Sequence, residues 1–262
     1  MLKFVILGSA RSGSTLLATA VRAHPAAAVF GELMNRSSQD AIMEVTALWP
    51  DCPYRHGSHA GELLSRWLFN PVRHAPHVRA SGFKLFYDQA REDEASFSIW
   101  SALLGDRTVH ILHVIRENLL QALTSLRTAL KTDEWAVFRG HDGTYTSSGK
   151  YGSRPYRVSS SPVRFKVSTS EAEWFFKTVA VEREWVRNAF QSHPYLELCY
   201  DRLSVAFEDS MAGVFRFLRL PEHSSSAELV KQSRFTPRDQ IENYEELREY
   251  FRRSVFAHYF QW

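Results

Sequence analysis

A chain of 262 residues, 44% hydrophobic and 23% charged, is long enough for a substantial α/β domain and too apolar to remain disordered. Its net charge of +3 comes from lysines and arginines spread along the chain. That pattern excludes the basic block of a nucleic-acid-binding protein and suits a small anionic ligand. Cys52 and Cys199 make neither a metal knuckle nor a disulfide framework, so a reducing compartment is expected. With no leader-like segment and no apolar run of about 18 residues, the expected location is cytoplasmic.

The apolar run LKFVIL predicts a buried parallel strand over 2–7. A Gly- and Ser-rich turn at 8–15 leads into helical spacing over 15–24, stopped by Pro25. A second strand is predicted at 27–30, running into GELMN. Residues 38–68 read as helix, an aromatic and histidine-containing loop, then helix. Strands follow at 79–86 and 108–115, the latter ending at Arg116, and a helix at 117–131. Over 139–170, Gly, Ser, Tyr and Arg dominate, which predicts a long irregular loop. A capped helix start at Ser170 opens a helix running to about 192. A strand at 195–200, a helix at 206–219 and a final helix at 243–258 complete the chain. With no repeat and no linker, residues 1–262 read as a single α/β domain: a parallel β-sheet with helices on both faces.

The turn GSARSGST has the spacing of a phosphate-cradling P-loop: Gly8, four residues, Gly13, one residue, Thr15. The lysine that reaches the β- and γ-phosphates in nucleotide triphosphatases is replaced by Ser14, and a cation stands instead at Arg11. Converging backbone N–H groups, a helix start, two hydroxyls and a guanidinium fork together suit phosphate or sulfate oxygens. The plainer alternative is a strand-to-helix turn whose glycines serve only the backbone. A triphosphatase also needs an acidic strand end to hold Mg²⁺. The strand TVHILHVI ends in Arg116, which would repel a metal and attract a second anionic group. The ligand is therefore expected to be anionic at two separated places, and no metal is implied.

The loop resembles the 5′-phosphosulfate loop of PAPS-dependent sulfotransferases, and Arg116 in HVIRENLLQALTSL resembles the start of their 3′-phosphate motif. GELMN, GFKLFYDQ and YDRLSVAFEDSMAGVFRFLRL are similar to the bacterial and carbohydrate branch of that family. The resemblance covers most of the chain and is weakest over 132–170. It implies a P-loop-type sulfotransferase fold with PAPS as co-substrate and PAP as product. Arg11, Ser12, Gly13, Ser14 and Thr15 would hold the 5′ end. Arg116 and Ser125, rather than its neighbour Thr124, would hold the 3′-phosphate. The implied acceptor is a hydroxyl on a small molecule, glycan or glycolipid, bound by the variable segments 36–78 and 132–170. Glu32, in the pair after the second strand, matches the carboxylate that serves as general base in similar bacterial enzymes. Its plainer reading is a surface helix cap. The animal enzymes' catalytic histidine has no counterpart in Lys84-Leu-Phe-Tyr, which favours Glu32. Lys84 would touch the transferring sulfate or, equally, end a strand in water. The alternatives to a sulfotransferase are a divergent P-loop kinase and a non-catalytic nucleotide-binding module.

Other candidates carry weaker signals. His110 and His113 are three apart on one strand and point to opposite faces, so they cannot share a ligand. Trp49, Tyr54, His56, His59, Tyr145, Tyr151 and Tyr156 would serve equally as acceptor-pocket or packing aromatics. Trp174, Phe175, Trp185 and Phe190 read as core. The basic segment 231–238 reads as a cover over the nucleotide or as a polar loop, and 139–170 as a lid.

Overall fold

A computed structural model describes residues 1–35, 45–52, 60–90, 94–140, 142–149, 152–224, 229–230 and 234–261. The strands are β1 (Leu2–Gly8), β2 (Ala27–Phe30), β3 (Ala80–Phe86), β4 (His110–Ile115), β5 (Ala136–Arg139), β6 (Tyr145–Gly149), β7 (Gly152–Pro155), β8 (Tyr195–Cys199) and β9 (Leu229–Val230). The chain divides into two compact units: Met1–Ile115 with Trp185–Ser226, and Arg116–Glu184 with Ala227–Trp262.

The first unit contains a five-stranded, all-parallel sheet in the order β2-β3-β1-β4-β8, flanked by helices. Its central strands read as continuous apolar runs because both faces are covered. Phe4, Val5, Ile6 and Leu7 are fully buried, as are Phe83, Leu85, Ile111, Leu112 and Val114. Leu7 is in register with Leu85 on one side and His113 on the other, and His113 with Glu197. After β1 the chain makes the helix Ser14–Arg22, and β2 and β3 then lie to one side of β1 while β4 and β8 lie to the other. This reversal of strand order puts a crevice at the carboxyl ends of the central strands, where open parallel sheets bind ligands.

In the second unit, the helix Leu119–Thr132 starts at Asn118, whose side chain accepts from the Gln121 N–H at 3.1 Å. It ends at Asp133 in left-handed geometry (φ 54°). Phe176, on the helix Thr169–Ala189, packs its ring 5.5 Å from Phe251, 5.4 Å from Phe256 and 4.9 Å from Tyr259.

The segment 139–170 differs from its predicted irregularity. β5, β6 and β7 form an antiparallel sheet with β9, and the longest described stretch with neither helix nor strand is 156–164. The cause is backbone pairing: β7 has no buried residue, so no hydrophobic alternation marks it. The final helix is shorter than predicted, Tyr244–Phe251 followed by a 3₁₀ turn Ala257–Phe260. Trp174 is 68% exposed, contrary to its reading as core, whereas Phe175 and Phe190 are buried. No helix among the described residues is long and apolar enough to cross a membrane.

Candidate active site

The loop between β1 and the helix Ser14–Arg22 depends on two close approaches. A Cβ on Gly8 would lie 2.6 Å from Ser12 Oγ and 2.8 Å from the Val114 carbonyl oxygen. One on Gly13, which has φ 95°, would lie 2.2 Å from Tyr200 Cδ2. Gly13 occupies the N-cap position, so the left-handed residue sits where the helix N–H groups begin to point outward. Arg11 is also left-handed, at φ 65°. For a residue with a side chain that geometry costs about 1–2 kcal/mol, and such strain concentrates at binding sites. Ser12 is fully buried and its Oγ has no hydrogen-bond partner among the described residues. A buried hydroxyl left in this way fits an anion cradle better than a plain turn.

Lys84 on β3 has its side chain 7% exposed, so it does not end the strand in water. Its Nζ donates to Thr15 Oγ1 at 2.9 Å and pairs with Glu32 Oε1 at 2.8 Å. A lysine from a neighbouring strand thus reaches the loop. Parallel pairing sets this up: Phe30 is in register with Phe83, and the Lys84 N–H donates to the Gly31 carbonyl at 3.2 Å. The turn after β2 therefore brings Glu32 beside Lys84.

Glu32 is not a surface cap. Its Oε2 accepts from Asn35 Nδ2 at 2.8 Å and Gln89 Nε2 at 3.1 Å. Burial opposes its ionisation, but the Lys84 charge and the hydrogen bonds from Lys84, Asn35 and Gln89 outweigh it. They hold the carboxyl below the ordinary glutamate value. It is therefore ionised at neutral pH. Asn35 and Gln89 stand in GELMN and FYDQ; their amides were visible there as residue types, but nothing local assigns them to Glu32.

On the same register row as Leu7 lies a buried polar network that sequence reasoning missed. Tyr87 hydroxyl meets His113 Nε2 at 2.5 Å, and His113 Nδ1 meets the Tyr195 hydroxyl. Glu197 accepts from Arg187 at 2.8 and 2.7 Å and from Tyr195 at 3.2 Å, and faces His113 Nδ1 at 3.3 Å. The hydrogen bonds from His113 and Arg187 prevail over burial and push the Glu197 carboxyl well below the carboxylate range. The Tyr87 N–H donates to the Gly8 carbonyl at 3.1 Å, so this network also anchors the start of the loop.

In the second unit, Arg116 Nη2 donates to Gln121 Oε1 at 2.9 Å. Ser125 stands one helical turn beyond Gln121, on the same face. Thr124 is buried and its hydroxyl is spent on the Leu120 carbonyl at 2.7 Å, which leaves Ser125 as the better-placed hydroxyl.

His113 is buried in its network, and His110 packs edge-on against Phe217 at 5.0 Å. Trp49 is a packing residue: it is 6% exposed, contacts Phe30, Trp67 and His74, and donates Nε1 to the Arg73 carbonyl at 3.1 Å. Tyr54, His56, His59 and Tyr151 lie outside the described residues, as do 231–233 of the basic tail segment. In the described part of that segment, Arg238 pairs with Glu245 at 2.8 Å.

The parallel sheet, the strand-to-helix loop and the flanking helices are the fold of a solved sulfotransferase. The chain matches the crystal structure of a sulfotransferase from Alicyclobacillus acidocaldarius with a TM-score of 0.51 and 11% identity, over 100% of this chain and 94% of that one. In sequence it is similar to Nodulation protein H of Rhizobium tropici, 26% identical over 261 residues, 98% of this chain and 92% of that protein. No protein-family model matches the chain. Both likenesses bear out the resemblance to the sulfotransferases carried by the motifs.

Proposed function

We propose that the protein transfers a sulfuryl group from PAPS to a hydroxyl acceptor, with a carbohydrate or glycolipid as the acceptor class. The observation that carries this reading is the buried Lys84, joined to Thr15 of the anion loop and to the carboxylate of Glu32. It sets a cation and an ionised carboxylate beside an oxyanion cradle without a loop lysine. The likeness to Nodulation protein H and to a solved sulfotransferase supports the same class.

In this reading Arg11, the hydroxyls of Ser12, Ser14 and Thr15, and the backbone at Gly13 hold the 5′-phosphosulfate. Arg116 and Ser125 hold the 3′-phosphate. The acceptor oxygen attacks sulfur as the bond from sulfur to the bridging phosphate oxygen breaks. The acceptor proton passes to Glu32, and the electron pair of the broken bond leaves on PAP. Lys84 and Arg11 oppose the negative charge growing on the bridging oxygen. Glu32 is ionised and so can accept a proton, and Asn35 and Gln89 fix its orientation. Segments 36–78 and 132–170 supply the acceptor contacts.

The test is transfer of label from sulfur-labelled PAPS to a panel of sugars, glycolipids and small alcohols, with no divalent metal added. Labelled product with at least one hydroxyl acceptor is expected. PAPS binding without transfer to any of them would mark a non-catalytic binding module. Phosphoryl transfer from ATP in a parallel assay would mark a kinase.

A further inference from the structure

The helix Thr169–Ala189 carries a guanidinium that neither the loop nor the Glu32 constellation uses. Arg183 Nη2 donates to the Arg116 carbonyl oxygen at 2.9 Å. Its Nε is buried with no hydrogen-bond partner, and Arg183 has no ion pair among the described residues. A guanidinium offers five N–H donors and a full positive charge. One neutral carbonyl satisfies a single donor and none of the charge. A buried N–H is normally hydrogen-bonded, so a guanidinium whose Nε has no partner among the described residues points to an anion that the protein itself does not provide.

Its surroundings suggest which anion. Arg183 is bonded to the backbone of Arg116, whose side chain is held by Gln121, one helical turn before Ser125. Arg183 also acts on Tyr259, where burial pushes the phenol up and the Arg183 charge works against that shift. A terminal phosphate monoester carries about −1.5 to −2 charges near pH 7. A single arginine neutralises about half of that, and two guanidinia match it. A monoanionic ligand would not call for a second cation.

We infer that Arg183 is a second cation of the 3′-phosphate subsite, adding charge there and fixing the backbone of Arg116 through its carbonyl. The inference rests on the proposed function, and its particular content is that recognition of the 3′-phosphate depends on a residue from the long helix.

The experiment is calorimetric titration of the full chain with PAP and with ADP, in metal-free buffer, for wild type, Arg116→Ala, Arg183→Gln and the double variant. Wild type is expected to prefer PAP by about 10- to 100-fold, the range for a charge-assisted contact. Arg183→Gln should reduce that preference about tenfold while ADP affinity stays within about twofold. In the Arg116→Ala background the same change should have less than half of that effect on a logarithmic scale, because the two act on one phosphate. Using the PAP-to-ADP ratio removes any general loss of stability, since both ligands are measured on the same protein. Arg183→Met retains the aliphatic stem and serves in place of Arg183→Gln should that variant fail to fold. A preserved preference in the Arg183 variant, with wild type still favouring PAP, overturns the inference alone. Equal affinity of wild type for PAP and ADP overturns the two-phosphate reading and this inference with it.

Discussion

Replacing Glu32 with glutamine keeps the size of the side chain and removes its charge and basicity. In the structure this does two separable things. It leaves the Lys84 ammonium, on a side chain 7% exposed, without its carboxylate partner at 2.8 Å. Breaking a buried pair in this way costs about 3–5 kcal/mol. Glu32 is 21% exposed and admits some water, so about 2–3 kcal/mol is the better figure. At roughly 2–4 °C per kcal/mol for a chain of this size, the melting temperature should fall by about 4–12 °C. The new amide also cannot suit all its neighbours. Its NH₂ must face either Lys84 or the donors of Asn35 and Gln89. The second effect is chemical: loss of the proton acceptor should lower kcat about 10²-fold or more, or about 2.7 kcal/mol of barrier. PAP affinity should remain near wild type. The assays are differential scanning calorimetry, PAP titration, and turnover of labelled PAPS well below the variant's melting temperature. Adding Lys84→Met should restore the lost stability by removing the orphaned charge, without restoring turnover. Near-normal turnover in Glu32→Gln would refute the base assignment, and a melting temperature that Lys84→Met does not recover would refute the ion-pair account.

Gly13→Ala places a Cβ at 2.2 Å from the Tyr200 ring in a left-handed residue. The conformation alone costs about 1–2 kcal/mol, so scanning calorimetry should show a clear loss of stability, and titration a loss of PAP binding. Gly61→Ala, where nothing lies within 4 Å, should be neutral in both measurements; equal effects at the two sites would contradict the loop geometry. Glu197 has a folded pKa below its unfolded value, so its contribution is complete above the ordinary carboxylate range and is lost as pH falls through it. Wild type should therefore lose melting temperature between about pH 5 and pH 3 more steeply than Glu197→Gln, by at least about 3 °C, and parallel curves would be the contrary result. Limited proteolysis is expected to cut within 156–164, which lacks helix and strand, and to slow when PAP and acceptor are both present. Unchanged cleavage, with unaltered turnover after this segment is shortened, would remove the lid proposal.

What was legible in the sequence follows from how local each signal is. Strands buried on both faces announce themselves as apolar runs, and LKFVIL, AAVF and TVHILHVI fall on β1, β2 and β4 within two residues. The anion loop shows itself through glycine spacing, because only glycine fits Gly8 and Gly13 at their close approaches. Signals that depend on partners distant in sequence were silent. A lysine in GFKLF reads equally as exposed or buried; only the register of β3 against β2 and β1 brings it to Glu32 and Thr15. β6 and β7, made of Tyr, Thr, Ser, Gly, Arg and Pro, are held by cross-strand backbone pairing that no side-chain pattern encodes. Trp174 fails for a related reason: a large aromatic on a long helix reads as core, yet the face it occupies is exposed.

The same distinction bears on the chemistry. A triphosphatase loop contains its own lysine, so its function can be read from one short string. Here a lysine from β3 reaches Thr15 of the loop, and the carboxylate paired with it stands beyond the next strand. Lysine and carboxylate are thus built as a pair. The carboxylate holds Lys84 in place and remains ionised, as the proposed role of proton acceptor requires. In the proposed mechanism Lys84 contributes the positive charge. A catalytic role for one of these two residues therefore constrains the other, and neither can be replaced singly without changing both the stability of the fold and the charge presented to the anion loop.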